Sequence, residues 1–132
     1  MSKLRWVRAK TFLKIPPHLF KIKGVNIRVD RVYAFDHIAQ DPYNLLFLLE
    51  DKKGKVKGFC WAIINPLDNV LHVNILSVEK DLYNKGIVKQ VHDMLKKIKD
   101  KLELDKIEWR TTRPNAFKKL LGAKVSATIM EV

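Results

Sequence analysis

The sequence predicts an α/β domain with a mixed β-sheet and helices on both faces of that sheet. Two observations support this prediction. Strand-like segments follow one another between residues 43 and 78 and are joined by short polar turns, which is typical of an antiparallel meander. A strongly amphipathic helix and another strand-like segment come next, in the order of a βαβ crossover. A sheet with both kinds of connection contains antiparallel and parallel strand pairs.

The segments before the meander are predicted to form one strand and two helices. Lys3–Ala9 is the first strand. The Pro16-Pro17 pair suits the first turn of a short helix that runs through Phe20. In Val25–Gln40 the apolar residues have a spacing closer to a helix than to a strand, and Asp41-Pro42 stops that pattern.

The meander itself consists of three predicted strands. Tyr43–Leu49 is almost wholly apolar and therefore predicts a buried strand. Gly54 lies in the polar turn that leads to the second strand, Val56–Ile64, as a hairpin requires. A further polar turn at Asn65–Asn69 leads to the third strand, Val70–Val78, which is rich in β-branched residues.

The clearest helix begins at Gly86, because apolar residues then recur at steps of three and four on one stripe. They are Val88, Val91, Leu95, Ile98 and Leu102. Lys106–Thr111 is the next predicted strand. Thr112–Gly122 has a capping threonine, a proline in its first turn and a terminal glycine, and so predicts a helix. Ala123–Glu131 is the last predicted strand.

Length and composition predict a single domain over residues 1–132. The 132 residues are 47% hydrophobic and 30% charged, which is ordinary for a globular chain with its own core. Cys60 is the single cysteine, so no internal disulfide can form, and we expect a cytoplasmic protein. No stretch is long and apolar enough for a signal peptide or a membrane span, so we expect no membrane partner.

The net charge of +12 favours a polyanionic partner, such as nucleic acid, an acidic protein or a phosphorylated cofactor. However, the lysines are spread along the whole chain, and such a surface can equally serve solubility. Nucleic acid is therefore a partner that the charge permits and that no motif supports.

The turn before the long helix is the first candidate site. It runs from Val78 to Ile87 and contains Gly86. Backbone N–H groups at a helix start, with a glycine among them, can bind an anion, and Lys85 would add a positive charge. The turn is thus either a cradle for a pyrophosphate or an ordinary strand-to-helix turn whose glycine relieves a tight bend.

This turn resembles the acetyl-CoA-binding segment of the GNAT superfamily of N-acetyltransferases. There, a strand ending in valine runs into Arg/Gln-x-x-Gly-x-Gly/Ala and a helix. Val78 and Gly86 have the matching separation, and Lys85 and Ile87 are common residues at their positions. Phe117–Lys124 is similar to the family's late Phe-Tyr-Glu-Lys-Leu-Gly-Phe segment. The resemblance implies a GNAT-like mixed β-sheet flanked by helices on both faces.

The resemblance also implies acetyl-CoA as the cofactor, held by backbone groups in a gap where the strands before and after the long helix separate near Val78. The implied cofactor-binding residues are Val78, Asn84, Lys85, Gly86, Ile87 and Val88. Three positions depart from the family pattern. Tyr83 stands where arginine or glutamine is usual, Val88 where glycine or alanine lets the phosphates approach, and Lys118 where many members have a catalytic tyrosine.

Acetyl transfer to an amine requires a base for the amine and a proton for the thiolate. His72 could be the base, because imidazole ordinarily titrates near neutral pH, and Asn74 alternates onto the same side of the strand. Asn74 also lies near the usual position of the family's general-base glutamate, and Tyr83 could be a displaced acid. The alternatives are a half-exposed strand histidine and a packing tyrosine.

Other candidate groups have structural interpretations. Cys60 lies in the apolar run from Phe59 to Ile64 and is predicted to be a buried, inert thiol. The four histidines have no metal-ligand spacing, so we predict no metal site. The tryptophans lie in strand-like segments and are interpreted as core or sheet-face residues.

Two functions stay open from the sequence. The first is an acetyl-CoA-dependent N-acyltransferase with a degenerate cofactor motif and an unidentified amine acceptor. The second is a catalytically inactive GNAT-fold structural or binding module, with a protein partner in an assembly. The short chain without insertions is similar to small phage-encoded GNAT-like proteins, some of them associated with virions. A phage virion is therefore the alternative to the cytoplasm as its location.

Overall fold

The computed structural model describes residues 4–21, 27–83 and 85–109. Within them, five strands make one mixed sheet. Its strands are β1 (Arg5–Ala9), β2 (Asn44–Glu50), β3 (Val56–Asn65), β4 (Val70–Val78) and β5 (Lys106–Trp109), in that spatial order. Neighbours from β1 to β4 are antiparallel, whereas β4 and β5 are parallel. The predicted mixed sheet is confirmed. The helix and strand predicted after residue 111 lie outside the described residues.

In the described ranges, two α-helices and three short 3₁₀-helices connect or cover these strands. The α-helices are α1 (Val29–Ala34) and α2 (Ile87–Lys101), and the 3₁₀-helices are Pro17–Phe20, Asp36–Gln40 and Lys80–Leu82. The long α2 helix and the short helix through Phe20 agree with the predictions from the apolar stripe and the proline pair.

The single helix predicted over residues 25–40 is wrong in its extent. The α-helix ends at Ala34, and the chain continues as a 3₁₀-helix. The carboxylate of Asp36 accepts hydrogen bonds from the hydroxyl of Thr11 (2.7 Å) and the backbone N–H of Phe12 (2.6 Å). These contacts fix Asp36 against a distant part of the chain, and a weak helical period does not reveal them.

The sheet separates two hydrophobic cores, so helices cover both of its faces as predicted. The residues of β2 from Leu45 to Leu49 are all buried and alternate between the cores, which explains why this strand is apolar throughout. The first core contains Val91 and Leu95 of the predicted α2 stripe, with Ile98 packed against it, whereas Leu102 at the end of the stripe is 48% exposed. The second core contains residues of the 3₁₀-helix Pro17–Phe20, with residues of α1 packed against it.

A β-bulge interrupts β4 at Asn74. Trp61 of β3 lies opposite Ile75, and the next residue, Ala62, lies opposite Val73, so Asn74 has no partner on β3. Val73 packs in the first core, whereas Ile75 packs against the second. The regular alternation that was expected to place His72 and Asn74 on one side is therefore broken at Asn74.

We predicted that β4 and β5 separate near Val78, which lies in the half of β4 that follows the bulge. Val70–Val73 pairs with Lys106–Trp109. The continuation of β5 lies outside the described residues, so the gap near Val78 stays a prediction.

Candidate functional site

The junction between β4 and α2 is built around a glycine with a left-handed backbone. Gly86 has φ 72° and ψ 21° and caps the N-terminus of α2. Residues with a Cβ atom rarely adopt this conformation. Apart from its chain neighbours and the backbone of α2, no atom of the described residues lies within 4 Å of the place where a Cβ would stand, so the space beside Gly86 is open. The glycine therefore serves the turn of the chain and not the packing of a neighbour.

The start of α2 has the properties of an anion site. The first intrahelical bond runs from the N–H of Gln90 to the carbonyl of Gly86, so the N–H groups of the preceding helical residues have no helical acceptor. In the described part of this junction, no side chain caps the helix and no acidic residue occupies its first turn. Lys85 and Lys89 are both exposed beside it. The positive end of the helix dipole adds to their attraction for an anion.

The predicted cofactor-binding residues divide into core and surface positions. Ile87 is buried in the first core, and Val78 packs against that core from the end of β4. Val88, the second residue of α2, is half-buried. Asn84 lies outside the described residues. The predicted cofactor-binding residues that the structure describes thus lie at one strand-to-helix junction.

Contacts on both sides hold the end of β4 in place. The Ser77 hydroxyl donates a hydrogen bond to the Leu19 carbonyl, and His18 Nε2 lies 2.7 Å from Glu79 Oε1. On the β3 side, a Cβ at Gly58 would stand 2.6 Å from Val78 Cγ1 and 2.8 Å from the Ser77 carbonyl oxygen. The position of Val78 therefore depends on a close backbone approach that only glycine permits.

His72 lies in a polar cluster on the face of the sheet that carries the second core. Its neighbours Leu71 and Val73 pack in the first core, so by alternation His72 points the other way. His72 Nδ1 lies 3.5 Å from Glu108 Oε2, and Lys106 Nζ lies 3.3 Å from Glu108 Oε1. The side chains of His72 and Glu108 are 32% and 34% exposed. An accessible imidazole thus stands beside a carboxylate.

A row of residues crosses four strands at this level of the sheet. Asn44 pairs with Ile63, Ile63 with His72, and His72 with Glu108. Asn44 is buried, and its side-chain oxygen accepts a hydrogen bond from Trp61 Nε1 (2.8 Å). One end of the row is therefore the buried, hydrogen-bonded amide of Asn44, and the other end is the half-exposed pair of His72 and Glu108.

Tyr83 and His72 lie towards opposite ends of β4. His72 is about 20 Å from Val78 along the strand, at ~3.3 Å per residue. Tyr83 follows the 3₁₀-helix beyond Val78 and is 58% exposed. The structure places Tyr83 with the proposed cofactor residues, and His72 with Glu108.

The sequence did not reveal Glu108 or the bulge as parts of the site. Glu108 reaches His72 only through the parallel register of β4 and β5, which local periodicity does not encode. One available signal was the alternation of Lys106 and Glu108 with apolar residues, which indicates a polar side of the strand.

In the described ranges, neither the cysteine nor the possible metal-ligating side chains form a second reactive site. Cys60 is buried, as predicted, and burial raises the pKa of its thiol to about 12, so it is not a thiolate at neutral pH. In the same ranges, no three His, Cys, Asp or Glu side chains are grouped to hold a metal ion. None of the helices described there has the length and apolarity to cross a membrane.

No protein-family model and no curated protein matches the sequence, whereas many solved structures match its fold. An acetyltransferase from Trypanosoma brucei superposes with a TM-score of 0.74 and 13% identity, over 98% of this chain and 99% of its own. The aminoglycoside 6′-N-acetyltransferase of Acinetobacter baumannii gives a TM-score of 0.72 and 8% identity, over 98% of this chain and 97% of its own. The chain has the GNAT fold.

A third GNAT-fold match carries a cofactor analogue. AAC(6′)-Iy, bound to the bisubstrate analogue CoA-S-monomethyl-acetylneamine, superposes with a TM-score of 0.70 and 13% identity, over 99% of this chain and 97% of its own. At such identities the likeness concerns the fold alone. The similarity to phage-encoded GNAT-like proteins stays a prediction from the sequence.

Proposed function

We propose that this protein is an acetyl-CoA-dependent N-acyltransferase that acetylates an amine. The junction of β4 and α2 carries the proposal, because an open, left-handed Gly86 and an exposed Lys85 stand at a helix start whose first N–H groups have no helical acceptor. Such a junction fits a pyrophosphate. The acetyltransferase fold around it favours acetyl-CoA among the ligands with that group.

In this proposal, the backbone N–H groups of Gly86, Ile87 and Val88 and the side chain of Lys85 hold the pyrophosphate. Asn84 and Val78 complete the cofactor site, with Val78 beside the pantetheine arm. Bound acetyl-CoA supplies a thioester as the acetyl donor. The position of the bound cofactor depends on the end of β4, and contacts on both sides hold that end in place.

His72 is the proposed general base. It accepts the proton that the acceptor amine loses while the new N–C bond forms and the C–S bond of the thioester breaks. The bulge at Asn74 leaves the backbone of that residue without a β3 partner between His72 and the cofactor junction. Bulges of this kind often re-aim groups next to active sites. Tyr83 is exposed at the junction, with His72 about 20 Å away along β4. In this proposal Tyr83 therefore lies beside the pyrophosphate end of the cofactor, and the leaving thiolate takes its proton from solvent.

Calorimetric titration with acetyl-CoA tests the proposal directly. We expect saturable binding, with a dissociation constant in the range of about 1 μM to 1 mM that is usual for enzyme substrates. Release of free thiol from acetyl-CoA in the presence of spermidine, used as a probe amine, would then report transfer. If acetyl-CoA at millimolar concentration produces no binding heat, the enzyme proposal is wrong.

The Lys85→Ala variant is expected to weaken acetyl-CoA binding by roughly 2–5-fold, since charges beside a helix terminus contribute modestly. Lys53→Ala is the matched control, because Lys53 is also exposed but lies in the turn between β2 and β3. Titration of both variants with acetyl-CoA and with a short DNA duplex compares a local site with diffuse charge. Equal losses in both variants for both ligands would contradict a cofactor cradle at Gly86.

The Val88→Gly variant is expected to bind acetyl-CoA more tightly than the wild type. Val88 is the second residue of α2, where a branched side chain can crowd the phosphates, and glycine permits a closer backbone approach. The helix should lose about 1 kcal/mol of stability or less. Calorimetry gives the affinity, and thermal unfolding verifies the fold. An unchanged affinity in the folded variant would show that Val88 is no obstacle.

A further inference from the structure

We propose that Glu108 is a positioning residue for His72: it holds the imidazole proton on Nδ1 and leaves Nε2 free to accept the proton of the acceptor amine. This inference rests on the proposed function for its catalytic consequence. Its structural content, the tautomer of His72, can be measured without substrate.

The pairing of β4 with β5 brings the two side chains together. His72 and Glu108 are direct partners in the parallel register, and both alternate with residues of the first core. They therefore lie on the same face of the sheet. Both are about two-thirds buried, and electrostatic attraction at such positions is stronger than between fully exposed groups.

Each oxygen of the Glu108 carboxylate faces a different partner. Oε2 lies 3.5 Å from His72 Nδ1, and Oε1 lies 3.3 Å from Lys106 Nζ. A glutamate carboxylate that is ionised can only accept hydrogen bonds, so His72 Nδ1 can contact it only as a donor. An ionised acceptor beside Nδ1 favours the form of the imidazole that carries its proton there.

The tautomer decides which nitrogen can act as a base. A neutral imidazole has one N–H and one nitrogen lone pair, and the hydrogen bond made by one nitrogen determines the state of the other. A proton on Nδ1, directed at Glu108, leaves the lone pair on Nε2. The distance of 3.5 Å exceeds that of a closed hydrogen bond, but catalytic contacts often shorten when substrate binds.

Nitrogen-15 NMR of the histidine side chains tests the tautomer in the full-length protein, with His72→Gln to assign the His72 signals. Among the neutral imidazole forms of His72 in the wild type, we expect the Nδ1-protonated tautomer to predominate. In Glu108→Leu, which removes the acceptor, the Nε2-protonated form should predominate. Glu108→Gln retains an acceptor oxygen without the charge and should give an intermediate ratio. Lys106→Met, which leaves Oε2 in place, should retain the wild-type tautomer.

An equal tautomer ratio in the wild type and Glu108→Leu would overturn the inference. A shift in Lys106→Met as large as in Glu108→Leu would also overturn it, because the effect would then be one of general charge. Thermal unfolding of each variant verifies that the compared proteins are folded. None of these readouts requires acetyl-CoA, so they stand even if the proposed function fails.

Kinetics with acetyl-CoA and spermidine test the catalytic consequence. We expect Glu108→Leu to lower kcat on the order of 10–100-fold, a part of the 10²–10⁴-fold contribution of a general base, without changing KM for acetyl-CoA. Glu108→Gln should recover part of the rate. A wild-type kcat in Glu108→Leu would overturn the positioning role. A wild type that binds no acetyl-CoA would refute the proposed function instead.

Discussion

Replacement of His72 by alanine is expected to lower kcat for acetyl transfer by about 10²–10⁴-fold, the usual contribution of a general base. His72 is the half-exposed imidazole of β4 that faces Glu108. It lies about 20 Å along the strand from the cofactor junction. KM for acetyl-CoA should therefore change little. Steady-state kinetics with spermidine as the probe amine measure both constants.

His37→Ala is the matched control for this prediction. His37 is exposed in the 3₁₀-helix Asp36–Gln40, where its ring lies 6.3 Å from that of Phe35. Its loss should leave kcat near the wild-type value. If His72→Ala and His37→Ala retain the same kcat, His72 is not the base.

Replacement of Gly58 by alanine is expected to lower the free energy of unfolding by about 1–3 kcal/mol, as overpacking in a well-packed region does. The added methyl group would overlap Val78 Cγ1 and the carbonyl oxygen of Ser77. Because backbone atoms cannot move aside as a flexible side chain can, the end of β4 must shift. We therefore also expect weaker acetyl-CoA binding. Denaturant unfolding and calorimetry measure the two effects.

Gly54→Ala separates lost stability from a displaced site. Gly54 has φ +79°, so alanine is strained there, but in the part of the chain that the structure describes nothing except its chain neighbours lies within 4 Å of the added Cβ. This variant should lose on the order of 1 kcal/mol, since the left-handed region disfavours residues with a Cβ. Its affinity for acetyl-CoA should match that of the wild type. Equal weakening of binding in both glycine variants would argue against a specific role of the β4 end.

Local patterns of apolar residues correctly predicted the strands and helices that those residues bury. The apolar run from Tyr43 to Leu49 predicted a buried strand, and its residues from Leu45 to Leu49 alternate between two cores. Val91 and Leu95 on the predicted stripe of α2 are fully buried. Gly86 was predicted at the helix start and caps it. In these segments the burial of each residue can be predicted from its immediate neighbours in the chain.

Features that depend on distant partners were missed. The break of the helix at Phe35 coincides with bonds from Asp36 to residues 24 and 25 positions earlier in the chain. The contact of His72 with Glu108 depends on a parallel register with a helix between the strands. A pattern of hydrophobicity states which side of a strand is polar, but not which polar groups meet there.

The extra residue at Asn74 changes how β4 must be aligned with other sequences. Among residues 70–73 the odd-numbered side chains face the first core, whereas among residues 75–78 the even-numbered side chains do. An ungapped alignment with a relative whose strand is regular would therefore match inward positions to outward ones in one half of β4. The mismatch begins only a few residues before the cofactor junction. A correct alignment of this strand with such a relative requires a one-residue gap at Asn74.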